Sequence, residues 1–215
     1  MATQTRRGRP PAELSPASLT DILAAALRVF AEYGFDGTSV AALNRELGVS
    51  HNLVHQRFGS KERLWYATVD WAFGEIADHM SVDAELAERD LLEAVRVTIV
   101  QFLQLHATHP QILRLVTVEG ATEGPRLTYL FDAHVGPLYH RITAPLKVLV
   151  DRGVLAEEDI RTVHFLVAHG ATAPFSLVPL AERLNPLDPL DPAAVRRHAE
   201  FVAGMVVAGL RARGA

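Results

Sequence analysis

Apolar residues recur along the chain at intervals of three and four, the spacing of a helix face, and no run alternates with the period of two that marks a half-buried strand. The pattern predicts an all-α protein of about nine helices. Ser15 and Pro16 read as N-cap and first residue of the first helix. Its stripe of Ile22, Ala25, Ala26, Val29 and Phe30 ends at Tyr33-Gly34-Phe35. Thr38 or Ser39 then caps a second helix by accepting an N–H bond from its first turn, with Val40, Leu43 and Leu47 on one face. Gly48 follows, where a residue without Cβ takes left-handed backbone at least cost. Ser50 caps a third helix that turns Leu53, Val54 and Phe58 inward and His51, Asn52, His55 and Gln56 outward. Ser60 caps a fourth, opening at Lys61 and running to about residue 80. Its Leu64, Trp65, Val69, Trp71, Phe73 and Ile76 make it apolar on more than one side, so it must be covered on more than one side.

From residue 91 the helical pattern resumes as far as the break at His109-Pro110, and a short helix over 111–119 ends at Gly120. A long segment over 126–150 contains Gly136-Pro137 and Pro145, and each interior proline is expected to kink it. Another helix covers about 158–172. After a proline-rich loop, Asp191 and Pro192 supply cap and first residue of the last helix. Within it Gly204 and Ala208 are four apart, flanked by Phe201 and Met205; small residues so placed let two helices approach closely, in a dimer or in an internal core.

The whole chain, 215 residues at 49% hydrophobic composition, is long enough for one large or two small cores. Its net charge of −4 is not that of a generally basic nucleic-acid binder, yet Arg6, Arg7, Arg9, Arg45, Arg57 and Lys61 crowd the first part. A local basic face is sufficient for DNA. Without cysteine there are neither disulfides nor thiolate chemistry. No apolar run reaches the ~20 residues that span a bilayer, and the first residues lack the apolar core of a signal peptide, so a cytoplasmic protein with no membrane partner is expected. Enzyme motifs are absent. The scattered histidines lack metal-ligand spacing except His51 and His55, which lie on the outward face of the third helix. Neither a metal site nor a cofactor is expected.

The second and third helices, joined at Gly48, have the form of a helix-turn-helix, whose second helix enters a DNA major groove. The runs from Ile22 to Phe35, then Thr38-Ser39-Val40, Leu47-Gly48-Val49-Ser50 and Phe58-Gly59-Ser60-Lys61-Glu62 resemble the N-terminal domain of TetR-type transcriptional regulators. Two positions depart from that pattern: Asn44 stands where the family usually has Ala, and His55 where it usually has the tyrosine that touches a phosphate. The resemblance implies a basic arm over 1–14, a DNA-binding domain over 15–61 and a ligand-binding and dimerisation body over 62–215. It also implies a homodimer whose segments 164–172 and 194–210 pair with their mates. With the residues read above, the expected contacts to a double-stranded operator are Arg7, Arg9, Thr38, Ser39, Ser50, His51, Asn52, His55, Gln56 and Lys61. Lys61 carries a cation at a helix N-terminus, against the helix dipole, and a nearby phosphate would account for it. Arg6-Arg7-Gly8-Arg9-Pro10 is similar to an AT-hook, which lays arginines in the minor groove; a solvated basic arm is the alternative.

Phe102 with His106, Phe131 with His134, and Phe165 with His169 are three or four apart, so each pair presents an aromatic wall with one polar group, the composition of a small-molecule pocket. The expected protein is a repressor released from a palindromic operator by a small apolar or amphipathic effector. The rival is an all-α binding protein or enzyme using the same pocket.

Overall fold

A computed structural model describes residues 18–46, 53–77 and 79–214, the side chain of Leu53 excepted. The described residues are helical throughout, with no strand. Helix α1 (Leu19–Gly37) is followed by α2 (Val40–Glu46), α3 (Leu53–Phe58), α4 (Lys61–Ala77), α5 (Ala84–Arg89), α6 (Leu91–Thr108) and α7 (Pro110–Glu119). Then come α8 (Pro125–Leu130), a π turn (Phe131–Val135), α9 (Gly136–Asp151), α10 (Glu157–Phe165) and a second π turn (Leu166–Ala171). Helices α11 (Ala173–Ser176), α12 (Val178–Leu184) and α13 (Pro192–Gly214) complete the chain. The short α5, α11 and α12 are additions to the helices read from the sequence.

Chain entry differs from expectation. Helix α1 starts at Leu19 because Ser18, not Ser15, is its N-cap. The Ser18 hydroxyl accepts from the Asp21 N–H, and the Asp21 carboxylate accepts in return from the Ser18 N–H. At the other end Gly34 takes φ 69°, a left-handed turn that breaks the helix just before Phe35. The Thr38 hydroxyl, buried, donates to the Gly34 carbonyl at 2.7 Å and closes this turn.

One continuous core runs through both parts of the chain, from Ile22, Phe30 and Leu43 through Trp65 and Ile76 to Leu103, Leu115 and Ala203. Helix α1 packs on α4 and also on α7, so the first helices are seated directly on the rest. Helix α13 packs along α6 with Val195, Ala199, Ala203, Val207 and Leu210 inward. The interior prolines have different settings. A proline ring clashes with the carbonyl four residues before it. For Pro137 and Pro174 those carbonyls belong to Ala133 and Gly170, and each lies within a π turn, where the hydrogen-bond ladder is already widened. Helix α9 continues through Pro145.

Candidate functional site

The outward side of α3 is polar as read from the sequence: His55, Gln56 and Arg57 are exposed, while Val54 is 1% exposed and fixes the helix to the core. Gly59, at φ 76°, ends α3 with its N–H on the His55 carbonyl, and the Ser60 hydroxyl accepts from Arg63 N–H to begin α4. Ser39 is exposed and its hydroxyl caps α2 by accepting from Ala42 N–H. Arg7, Arg9, Ser50, His51 and Asn52, and the turn at Gly48, lie outside the described residues. Thr38 is turned inward, its hydroxyl engaged as above, and Asn44 is buried.

Lys61 has a use inside the fold that sequence reasoning missed. Its Nζ donates to the Phe35 carbonyl at 2.8 Å and the Thr38 carbonyl at 2.9 Å, and lies 4.0 Å from the centre of the Phe35 ring. These carbonyls are at the negative end of α1, so the cation unfavourably placed for its own helix is well placed for another. The Arg126 guanidinium, at the start of α8, lies 4.2 Å from the same ring. It also donates to the buried Glu119 at 2.8 Å and to Asp36 at 3.3 Å.

Helix α4 is held again at Asp70, whose carboxylate accepts from the Tyr129 hydroxyl at 2.6 Å and lies 2.9 Å from His134 Nε2. The hydrogen bond to Asp70 pushes the Tyr129 phenol up to about 12. One turn further, Phe73 forms part of the wall of a cavity among α6, α7, α9 and α10. This space adjoins another, with which it shares Phe102, Ile142, His164 and Ala168.

Of the six expected pocket residues, Phe102, His106 and His169 line this cavity. Phe131 and Phe165 do not: they are 50% and 56% exposed, and Phe165 stacks on the outer side of His169. His134 faces a neighbouring groove with Phe73 and Arg141. The structure adds Tyr139 and His164, in edge contact 4.9 Å apart. The sequence reading puts His164 in the segment expected to dimerise; its place on the cavity wall goes with the π turn that follows it, which no spacing in the sequence announces. Burial pushes His106 and His164 down to about 4, so both rings are neutral at ordinary pH. Among the described residues no three His, Asp or Glu side chains are placed to hold one metal ion.

Comparison with known proteins accounts for both halves of this arrangement. Residues 22–67 match the profile of the bacterial regulatory proteins, tetR family, and residues 92–206 that of the tetracyclin repressor-like C-terminal domain. The chain is similar to the HTH-type transcriptional regulator RutR of Escherichia coli K12, 25% identical over 194 residues, covering 89% of this chain and 90% of that one. It is also similar to the HTH-type transcriptional repressor NicS of Pseudomonas putida, at 22% identity over 121 residues, 56% of this chain and 57% of that one. Among solved structures, the TetR family regulator PfmR of Thermus thermophilus shares the fold with a TM-score of 0.61 at 21% identity, over 89% of this chain and 96% of that one. A TetR-like regulator from Rhodococcus sp. RHA1 gives 0.54 at 18% identity, over 87% and 94%. With a helix-turn-helix segment at its start and a matched helical body behind it, the chain belongs to the TetR family of bacterial DNA-binding transcriptional regulators.

Proposed function

We propose that the protein is a homodimeric repressor that binds a roughly palindromic operator and leaves it when a small apolar or amphipathic effector enters the body cavity. The observation that carries this reading is the course of α4. Its first residue, Lys61, holds the end of α1; its middle residue, Asp70, holds Tyr129 and His134; and Phe73 forms part of the cavity wall. A molecule that pushes on Phe73 therefore acts on the helix that positions the DNA-binding segment. Two α3 helices related by a two-fold axis would enter successive major grooves about 34–36 Å apart. A shift of a few ångströms suffices to mismatch them, because both half-sites must be engaged together. The basic arm with Arg7 and Arg9, the exposed Ser39, His55 and Gln56, and the sequence-read Ser50, His51 and Asn52 are the proposed contacts, with Lys61 contributing its remaining N–H.

The reading is tested by linkage. A compound that raises the melting temperature is titrated into the protein alone and into the protein on operator DNA. Operator must weaken the compound by the same factor by which the compound weakens operator. Equal affinity in the two titrations rules that compound out as an effector. If every stabilising compound behaves so, the body is a dimerisation scaffold with an ordinary core.

A further inference from the structure

Three imidazoles, His106, His164 and His169, stand on the wall of the cavity lined by Phe73, Phe102 and Tyr139. Its lining includes no carboxylate, guanidinium or ammonium group. In the adjoining space the hydroxyls of Thr98 and Thr143 already donate to the carbonyls of Ala94 and Tyr139.

His106 is 3% exposed, and its Nδ1 lies 2.7 Å from the Phe102 carbonyl oxygen. A carbonyl only accepts, so Nδ1 carries the proton and Nε2 keeps a lone pair. Among the described residues none donates to that Nε2, and none is hydrogen-bonded to the His164 ring. That nitrogen of His106 is not sealed in protein but opens on the cavity, so it can accept from a ligand there that brings a proton.

Charge narrows the class. An amine finds no carboxylate here, and a permanently ionised sulfonate or phosphate finds no lysine or arginine. A carboxylic acid is different, because a carboxyl and a neutral imidazole together carry no net charge wherever the shared proton sits. Its two oxygens also offer a donor and an acceptor, which lets one head group bridge two rings.

We propose that the cavity binds an apolar molecule ending in a single carboxylic acid, taken up together with one proton that the carboxyl shares with His106 and His164. This rests on the reading of the cavity as the effector site. Burial holds His106 and His164 in the neutral form, so the proton comes from solvent. The surrounding titratable groups are His109 on the α6 side, Tyr139 and His140 on α9, and Asp70 of α4, which is occupied by Tyr129 and His134. From α7 the Thr117 hydroxyl lies 3.4 Å from His169 Nδ1, and Arg114 is exposed. Among the described residues no carboxylate competes for the three rings.

The test is calorimetry on the full chain with 4-phenylbutyrate and decanoate against 4-phenylbutan-1-ol and decan-1-ol, in buffers of different ionisation enthalpy. The acids are expected to bind with uptake of about one proton, their apparent affinity falling about tenfold per pH unit above neutrality. The alcohols should show neither effect. His164→Leu, which removes a ring with no internal hydrogen bond, should weaken the acids at least about tenfold and leave the alcohols unchanged; His106→Gln should do the same, with its melting temperature recorded to separate binding from folding. Acids that fail to bind, that bind without proton uptake, or that bind both variants as they bind the wild type overturn the proposal. An acid that binds with proton uptake yet leaves operator affinity unchanged upholds the ligand class and overturns the effector reading. Release of operator by the alcohols, without proton uptake, does the reverse.

Discussion

Phe35 is the residue on which the N-terminal segment and the body meet, since Lys61 and Arg126 both rest on its ring. Replacing Lys61 with Met keeps the apolar stem and removes the ammonium. Losing two bonds to carbonyls and the contact with the ring is expected to cost about 1–3 kcal/mol in urea unfolding. Unchanged stability would show that the cation does not hold α1. The oddity of a lysine at a helix start is visible in the sequence; its partners are not, because they lie 23 and 26 residues away on another helix. The buried imidazoles yield a second expectation. His106 titrates at about 4 in the native protein against an ordinary 6.5. Above pH 6.5 the ring is neutral in both states and adds no pH dependence. As pH falls from 6.5 towards 4 the unfolded chain takes up a proton that the native chain refuses, so stability declines, by roughly 3 kcal/mol for this ring alone. His106→Gln should flatten the decline of melting temperature over this interval, and an equally steep profile in the variant would contradict the assignment.

At the scale of elements, the helices with one regular stripe are legible in the sequence and the cavity only half so, for a definite reason. Spacing of three and four places Phe131 with His134 and Phe165 with His169 on common faces, but a π turn covers or adjoins each pair. Its i→i+5 bonding changes the side-chain period. His164 and His169, five apart and about 140° from each other in a regular helix, thereby come to one cavity, while Phe131 and Phe165 face outward. Phe102 and His106, on the regular α6, keep the spacing that the sequence reading assumes, and both line the cavity. The first π turn is tight at Gly136, where a Cβ would lie 3.0 Å from the Phe131 carbonyl oxygen and that carbonyl would have to give by a few tenths of an ångström. Gly136→Ala is expected to lower stability by about 1–3 kcal/mol in thermal unfolding. Gly74→Ala on α4, where a Cβ meets nothing within 4 Å, should instead stabilise by about 0.5–1 kcal/mol. A neutral Gly136→Ala would mean the turn tolerates the added methyl.

For the whole molecule, α13 separates two faces. Ala199, Ala203 and Val207 are buried on α6, whereas Phe201, Gly204, Met205 and Ala208 are exposed on the other side. The small and apolar stripe noticed in the sequence is therefore not an internal core. Leu166 and Met205 border one groove beside it, which is the surface the proposed dimer would bury. Phe201→Glu with Met205→Glu should yield monomers in sedimentation velocity with helix content preserved, and a dimer that survives both changes would locate the interface elsewhere. The central claim, that the polar face of α3 reads DNA, is tested most directly on Gln56, exposed on that face. Operator fragments are selected from the source genome with the wild-type protein, and affinity is measured on that duplex and on a scrambled one, for the wild type and for Gln56→Ala. The expected result is a loss of about 1–3 kcal/mol on the selected duplex with binding to the scrambled duplex nearly unchanged. Equal loss on both, or a wild type that prefers neither, would contradict it.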